Sequence, residues 1–226
     1  MISPSDVHIF CLLYGDYPKL HKRLITRLQD TLPKETPVTC WLNQTKLNFP
    51  CDYEIIQSEI NVPKYITMRK MWEQKLNLNH KWFVWFDDDT RIIKPHWFTK
   101  ALQKINSTEN IAYVGQPWAS PSSKGQEEFI KQATWYKNKP FKIINNRHFA
   151  VFAQGSYWWI RKDIILALDW PDPRLEHNGG DILLGEAIHQ NDIKFHHFPK
   201  HCFGVQPNCA ERRGINQVPP GWAPEK

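Results

Sequence analysis

Apolar residues follow two rhythms along this chain: short solid runs, and longer stretches where they recur every three or four positions. VHIFCLLYG (Val7 to Gly15) is a solid run ending on a turn signal, which predicts a buried first strand. The next stretch, Tyr17 to Leu32, puts Leu20, Leu24, Ile25 and Leu28 at helical spacing, and Pro33 closes it. Val38 to Leu42 and Tyr53 to Gln57 predict two more strands. Pro63 opens a helix with Ile66, Met68, Met71, Trp72 and Leu76 on its apolar side and Arg69, Lys70 and Glu73 opposite. KWFVWF (Lys81 to Phe86) is apolar on both faces, as a central strand is.

Beyond it, Trp97 to Ile105 predicts a helix and Ile111 to Gly115 a strand. Residues 117–149 lose the pattern and read as an irregular, acceptor-side loop or hairpin region. The apolar pattern resumes at Phe149 to Ala153, with helices over Arg161 to Leu168 and Gly180 to His189 and a last strand over Ile193 to Phe198. Residues 206–226 read as an extended tail. Strands alternating with helices, without repeat or linker, predict one α/β domain over residues 1–226: a mixed, mostly parallel sheet flanked by helices.

Composition changes this picture little. The 11 Trp, 12 Phe and 7 Tyr are enough to line a sugar or base site, but core filling is their commoner use. A net charge of +6 favours an anionic partner such as a nucleotide, a nucleic acid or an acidic glycan. No long apolar segment predicts a membrane span or a signal peptide, so the expected place is the cytoplasm, or a soluble fragment of an anchored enzyme. Five cysteines without a CxxC fit free thiols in a reducing compartment.

Chemistry concentrates at Asp87, Asp88 and Asp89, directly after the FVWF strand. Three adjacent carboxylates repel one another, so a strand end that carries them is expected to bind a cation. Ligands of open α/β sheets sit beyond the carboxyl ends of the strands. If extended geometry continues, Asp87 and Asp89 point to one side and face one ion together. A hard divalent metal there suits diphosphate oxygens. The plainer alternative is a solvated turn.

KWFVWFDDDT resembles the acidic segment of GT-A glycosyltransferases, most closely the Fringe and β1,3-galactosyltransferase-like group, in a distant bacterial or phage-type form. KYITMRKMWEQ is similar to that group's preceding helix. FAQGSYWWIRKDII (Phe152 to Ile165) is similar to its glycine-turn segment and GGDILLGEAI (Gly179 to Ile188) to its second acidic helix start. Here Gly180 precedes Asp181 where the group usually has two adjacent acids.

The resemblance implies a GT-A fold, Mn2+ or Mg2+ as cofactor, and a nucleotide-sugar donor, with a UDP-sugar as first choice. Asp89 is the first-choice metal ligand, Asp87 a ligand or ribose contact, and Asp88 a donor-site residue restricted to hydrogen bonding. A histidine near the C-terminus completes such sites; among His196, His197 and His201, the segment KHCFGV favours His201. Leu13, Tyr14 and Gly15 form the nucleotide floor and Gly155 belongs to the donor side; Arg69 or Lys70 either reaches the ribose or phosphates or lies on a solvated helix face. An inverting transferase needs a carboxylate base; Asp181 is the matching position and Glu186 the fallback. The alternative for Asp181 is a carboxylate meeting a helix dipole.

The acceptor is left open between a glycan, a protein and DNA. The loop with Lys131, Trp135, Tyr136, Lys137, Lys139, Lys142, Arg147 and His148 suits phosphate contacts and ring stacking on an extruded, hydroxymethylated base. Two other classes compete: a metal-dependent phosphate or phosphodiester hydrolase, and a silent nucleotide- or glycan-binding module.

Overall fold

The computed structural model describes residues 1–176, 179–198 and 205–206. The first half of the chain alternates strand and helix as its apolar rhythm requires. β1 (Val7–Tyr14), α1 (Pro18–Thr31), β2 (Val38–Asn43) and β3 (Glu54–Ser58) are followed by α2 (Lys64–Glu73) and β4 (Trp82–Asp87). These four strands are parallel, in the order β3-β2-β1-β4.

After the short β5 (Arg91–Ile92) and α3 (Trp97–Ser107), the chain changes direction. β6 (Tyr113–Pro121), α4 (Lys124–Lys131), β7 (Lys142–Ile144) and the fifteen-residue β8 (Arg147–Arg161) come next, then α5 (Lys162–Leu168), α6 (Gly180–Gln190), β9 (Phe195–His197) and β10 (Val205–Gln206). β8 lies antiparallel between β4 and β6, and β9 adds parallel to β6, which makes the sheet mixed. β10 pairs with β5 apart from the main sheet.

Strand alternation builds two cores. Val7, Ile9, Cys11 and Leu13 of β1, with Trp82, Val84 and Phe86 of β4, pack against Leu24, Ile25 and Leu28 of α1 and Trp97, Phe98 and Ala101 of α3. On the other face, Phe10, Phe83, Trp85 and Trp158 meet Met68, Met71 and Trp72 of α2 and Leu183, Leu184 and Ala187 of α6. Trp72, Trp82, Trp85, Trp97, Trp158 and Trp159 are all fully buried, so the aromatic surplus is chiefly core material. Cys11, Cys40 and Cys51 are free thiols.

The stretch 117–149 is more ordered than its polar sequence predicts. β6 continues through it to Pro121, past an irregularity between Gly115 and Pro117 that loses the regular alternation. Ser123 and Gln126 then form a reciprocal capping box that starts α4, and β7 pairs with the first residues of β8.

Candidate active site

Asp87 ends β4. Its Oδ1 accepts the Trp85 indole N–H at 2.8 Å and its Oδ2 the Lys64 ammonium at 2.7 Å. The backbone then turns: the Thr90 N–H donates to the Asp87 carbonyl at 3.0 Å, closing a turn over residues 87–90. The expectation that extended geometry puts Asp87 and Asp89 on one side is therefore corrected, because the strand has already ended. The turn still leaves Asp89 near enough to act on the charge of Lys64, which is bonded to Asp87. Asp89 is only 7% exposed.

Asp88 points inward and is fully buried. Its Oδ2 accepts the Tyr14 backbone N–H at 3.1 Å and lies 3.3 Å from His21 Nε2. This pins the end of β1 to the acidic turn, so Asp88 shapes the site from behind through hydrogen bonds. The Leu13 side chain is fully buried and contributes only backbone to the crevice. Gly15 takes a left-handed φ of 68° where the chain leaves β1.

Two helix starts converge opposite the turn. Lys64 and Tyr65 are the first residues of α2; Gly180 and Asp181 are the first of α6. Lys64 Nζ donates to Asp87 Oδ2 and also to the Gly155 carbonyl at 2.9 Å. The Tyr65 hydroxyl donates to Asp181 Oδ1 at 3.0 Å. Gly155 and Gly180 make room for these contacts. A Cβ on Gly155 would stand 2.0 Å from Asp181 Oδ2, and one on Gly180 would stand 2.1 Å from the Tyr65 ring. Gly155 thus lies inside a long strand, opposite the shift in the β6–β8 register, and not at the turn its sequence neighbourhood predicts.

Charge is finely opposed here. Burial pushes the Asp181 carboxyl above its ordinary range and the neighbouring Asp87 adds to this, while Lys64 and the Tyr65 hydrogen bond pull it back. For Lys64, burial opposes the charge. Attraction to Asp87, Asp181 and Asp89 outweighs it and holds the ammonium above the usual lysine value. A carboxyl that is raised yet flanked by a cation suits a general base.

Several expected site residues are elsewhere. Arg69 binds Glu73 and Asp169 at 2.8 Å each and donates to the Pro171 carbonyl, so it clamps α2 to the 169–171 segment and is committed away from a ribose. Lys70 is exposed on α2. Glu186 is buried against Gln190 at 2.7 Å, and Gln190 in turn holds the backbone of Lys137 and Lys139. The fallback base is thus a prop under the 137–139 loop. His196 and His197 sit on β9, separated from β4 by β8 and β6, while His201 lies outside the described residues.

In the loop proposed for nucleic acid, Lys131, Lys137, Lys142 and Arg147 are exposed, while the rings pack more closely. Trp135 is 3% exposed, Tyr136 stacks on Phe141, Phe141 stacks on His148, and Lys139 pairs with Asp192.

Lys64 and Tyr65 were not legible as site residues in the pattern, although Pro63 marks a helix start whose first turn must lie near the strand ends. A polar cleft of about 490 Å³ at the ends of β1, β2 and β3 was also missed; Asp16, Gln44, Thr45, Gln57, Ser58 and Glu59 line it.

The residues fit a hard divalent cation. Carboxylate oxygens are hard donors, and the structure already puts one positive centre, the Lys64 ammonium, within the influence of Asp87, Asp89 and Asp181. Among the described residues no three His, Cys, Asp or Glu side chains close into a full metal cage. Two carboxylates with diphosphate oxygens and water suffice for such an ion.

Sheet order, acidic turn and facing helix define a GT-A-like fold, the type found in nucleotide-sugar transferases and nucleotidyltransferases. The chain is similar to mannosyltransferase PcManGT from Pyrobaculum calidifontis, solved with GDP-Man and Mn2+, with a TM-score of 0.57 at 8% identity, over 85% of this chain and 54% of that one. It thus spans about half the length of that enzyme. Glucosyl-3-phosphoglycerate synthase from Mycobacterium tuberculosis, solved with Mn2+, UDP and glucosyl-3-phosphoglycerate, gives 0.50 at 9% identity over 84% and 68%. CMP:2-keto-3-deoxy-manno-octonic acid synthetase with CTP gives 0.50 at 11% over 85% and 88%. No family model and no curated protein matches the sequence. At these identities the likeness shows the fold and singles out no subfamily, the Fringe and β1,3-galactosyltransferase-like group included.

Proposed function

We propose that this protein is a metal-dependent glycosyltransferase that moves a sugar from a nucleotide-sugar donor to an acceptor hydroxyl with inversion. The observation that carries the reading is the pairing of an acidic turn at the end of β4 with Asp181 at the start of α6, bridged by Lys64 and flanked by Tyr65. One end of that arrangement suits a metal diphosphate and the other suits proton removal.

Asp87 and Asp89 hold Mn2+ or Mg2+ in this reading, and the bound ion supplies Lewis-acid stabilisation to the departing diphosphate. The cleft at the ends of β1 to β3 takes the nucleoside. Asp181 accepts the acceptor's hydroxyl proton as that oxygen bonds to the anomeric carbon and the bond from carbon to diphosphate oxygen breaks. The start of α6 favours the carboxylate before the transfer. The acceptor in this reading is a hydroxyl compound.

No described helix is long and apolar enough to cross a membrane. The test is a thermal-shift panel of UDP-, GDP-, CMP- and dTDP-sugars with and without Mn2+, alongside the corresponding nucleoside triphosphates. Stabilisation by one nucleotide sugar that depends on Mn2+ supports the reading and names the donor. Selective stabilisation by a triphosphate, with pyrophosphate release, replaces it with nucleotidyl transfer.

A further inference from the structure

Lys64 is an unexpected residue at its position. It is the first residue of a ten-residue helix, where the helix dipole disfavours a cation. Its side chain is only 21% exposed. It is nevertheless directed into the acidic crevice, donating to Asp87 Oδ2 at 2.7 Å and to the Gly155 carbonyl at 2.9 Å. Asp181 and Asp89 lie close enough to act on its charge as well. The ammonium thus occupies the electrostatic centre that the carboxylates create.

We infer that Lys64 is a positioning residue that competes with the divalent ion for the Asp87 carboxylate, so that the ion binds firmly only with a nucleoside diphosphate. The inference rests on the functional reading above for the identity of the anion, but the competition itself does not. One ammonium already offsets part of the negative charge, and an incoming dication meets both a used Asp87 oxygen and a nearby positive charge. A diphosphate changes that balance in two ways. It brings new oxygens for the ion, and it offers the flexible ammonium another acceptor within the same crevice. Metal and nucleotide then strengthen each other by the same factor, as linkage requires. A further consequence is structural: the Gly155 carbonyl loses its cationic donor when Lys64 turns away, just where Gly155 touches Asp181.

The sign of one measurement separates this role from simple support of the fold. Free Mn2+ is followed by electron paramagnetic resonance during titration into the full chain, first alone and then with UDP or GDP. The wild type is expected to bind Mn2+ alone weakly and at least tenfold more tightly with one of the diphosphates. Lys64→Met is expected to bind Mn2+ alone at least tenfold more tightly than wild type, with a smaller gain from the diphosphate. Lys64→Arg, which keeps the charge, stays near wild type without nucleotide.

Weaker or unchanged Mn2+ binding by a cooperatively melting Lys64→Met overturns the inference, since a merely structural lysine loosens the site when lost. Should Lys64→Met fail to melt cooperatively, tight Mn2+ binding by the wild type without any diphosphate overturns it equally. A tighter Lys64→Met site that neither diphosphate affects supports the competition and removes the glycosyltransferase reading instead.

Discussion

The Tyr65 hydroxyl donates to Asp181 Oδ1 at 3.0 Å, joining the first turn of α2 to the first turn of α6. This bond favours the charged form of Asp181 and pulls its pKa down, while burial and Asp87 push it up. Removing it leaves the upward influences in place. Tyr65→Phe is therefore expected to shift the acid limb of the kcat/KM profile to higher pH. Activity falls at the acid end of the range and recovers towards the wild-type plateau once Asp181 is fully ionised. The check is a pair of pH–rate profiles; coincident acid limbs separate Asp181 from the proton transfer.

Gly155→Ala isolates the close contact between β8 and Asp181. The added methyl carbon would lie 2.0 Å from Asp181 Oδ2, so the carboxylate or the strand must move. Displacing a reacting group by about 1 Å costs about a hundredfold in rate. The expected result is a fall in kcat of at least about tenfold, with the donor KM within a few-fold of wild type. Unchanged kcat would mean that the methyl is accommodated without moving Asp181.

How far the sequence reveals this arrangement differs from element to element. β1, α1, β2 and β4 were legible because both faces of the strands are buried, and burial writes a solid apolar run. The acidic turn was legible as chemistry but not as geometry, since nothing in DDDT says that the strand ends at Asp87. β6 beyond Gly115 and all of β7 were hidden because much of that extension faces solvent and has no reason to alternate, whereas β8 was legible over Phe149 to Ala153. Lys64 and Tyr65 were hidden for another reason. Their partners lie 23 and 116 residues away, and only the packing of α2 and α6 brings them together.

The two carboxylates of α6 are expected to behave as opposites. Asp181→Asn keeps the shape and removes the base, so turnover falls at least about a hundredfold while the donor still binds. Glu186 is 2% exposed and accepts a hydrogen bond from the Gln190 amide, and burial raises its pKa, so a neutral isostere costs it little. Glu186→Gln should retain turnover close to that of wild type, because its side chain supports the 137–139 loop and takes no part in proton transfer. Steady-state kinetics on both variants decides the assignment, and a large loss in Glu186→Gln alone would exchange the two roles.

Acid sensitivity should trace in part to His8. It is 3% exposed, bonded through Nε2 to Thr39 Oγ1 at 2.8 Å, and lowered to about 3, by burial first and then by His80 and Lys75. Between its ordinary value of 6.5 and about 3, the unfolded chain binds a proton that the folded one refuses. Stability is thus lost as pH falls through that window, by up to about 1.4 kcal/mol per pH unit. Urea midpoints at pH 7.5 and 5 are expected to fall further apart in wild type than in His8→Gln. Equal differences would assign the acid loss to other groups.

Asp89→Ala tests the acidic turn where the functional reading is most exposed. Asp88 is turned inward to Tyr14 and His21, Asp87 is held by Trp85 and Lys64, and Asp89 is the first-choice metal ligand of the functional reading. Its loss should abolish transfer and remove the Mn2+-dependent part of donor binding, leaving any metal-independent nucleoside contact in the β1–β3 cleft. Asp88→Asn is the informative contrast. It disturbs a buried contact whose unsatisfied partners cost about 1–3 kcal/mol, so it should lower the melting temperature more than Asp89→Ala does. Calorimetric titration of the nucleotide sugar with and without Mn2+, run beside melting curves, reads both effects. Near-normal turnover in Asp89→Ala would place the metal, and with it the donor diphosphate, somewhere other than this turn.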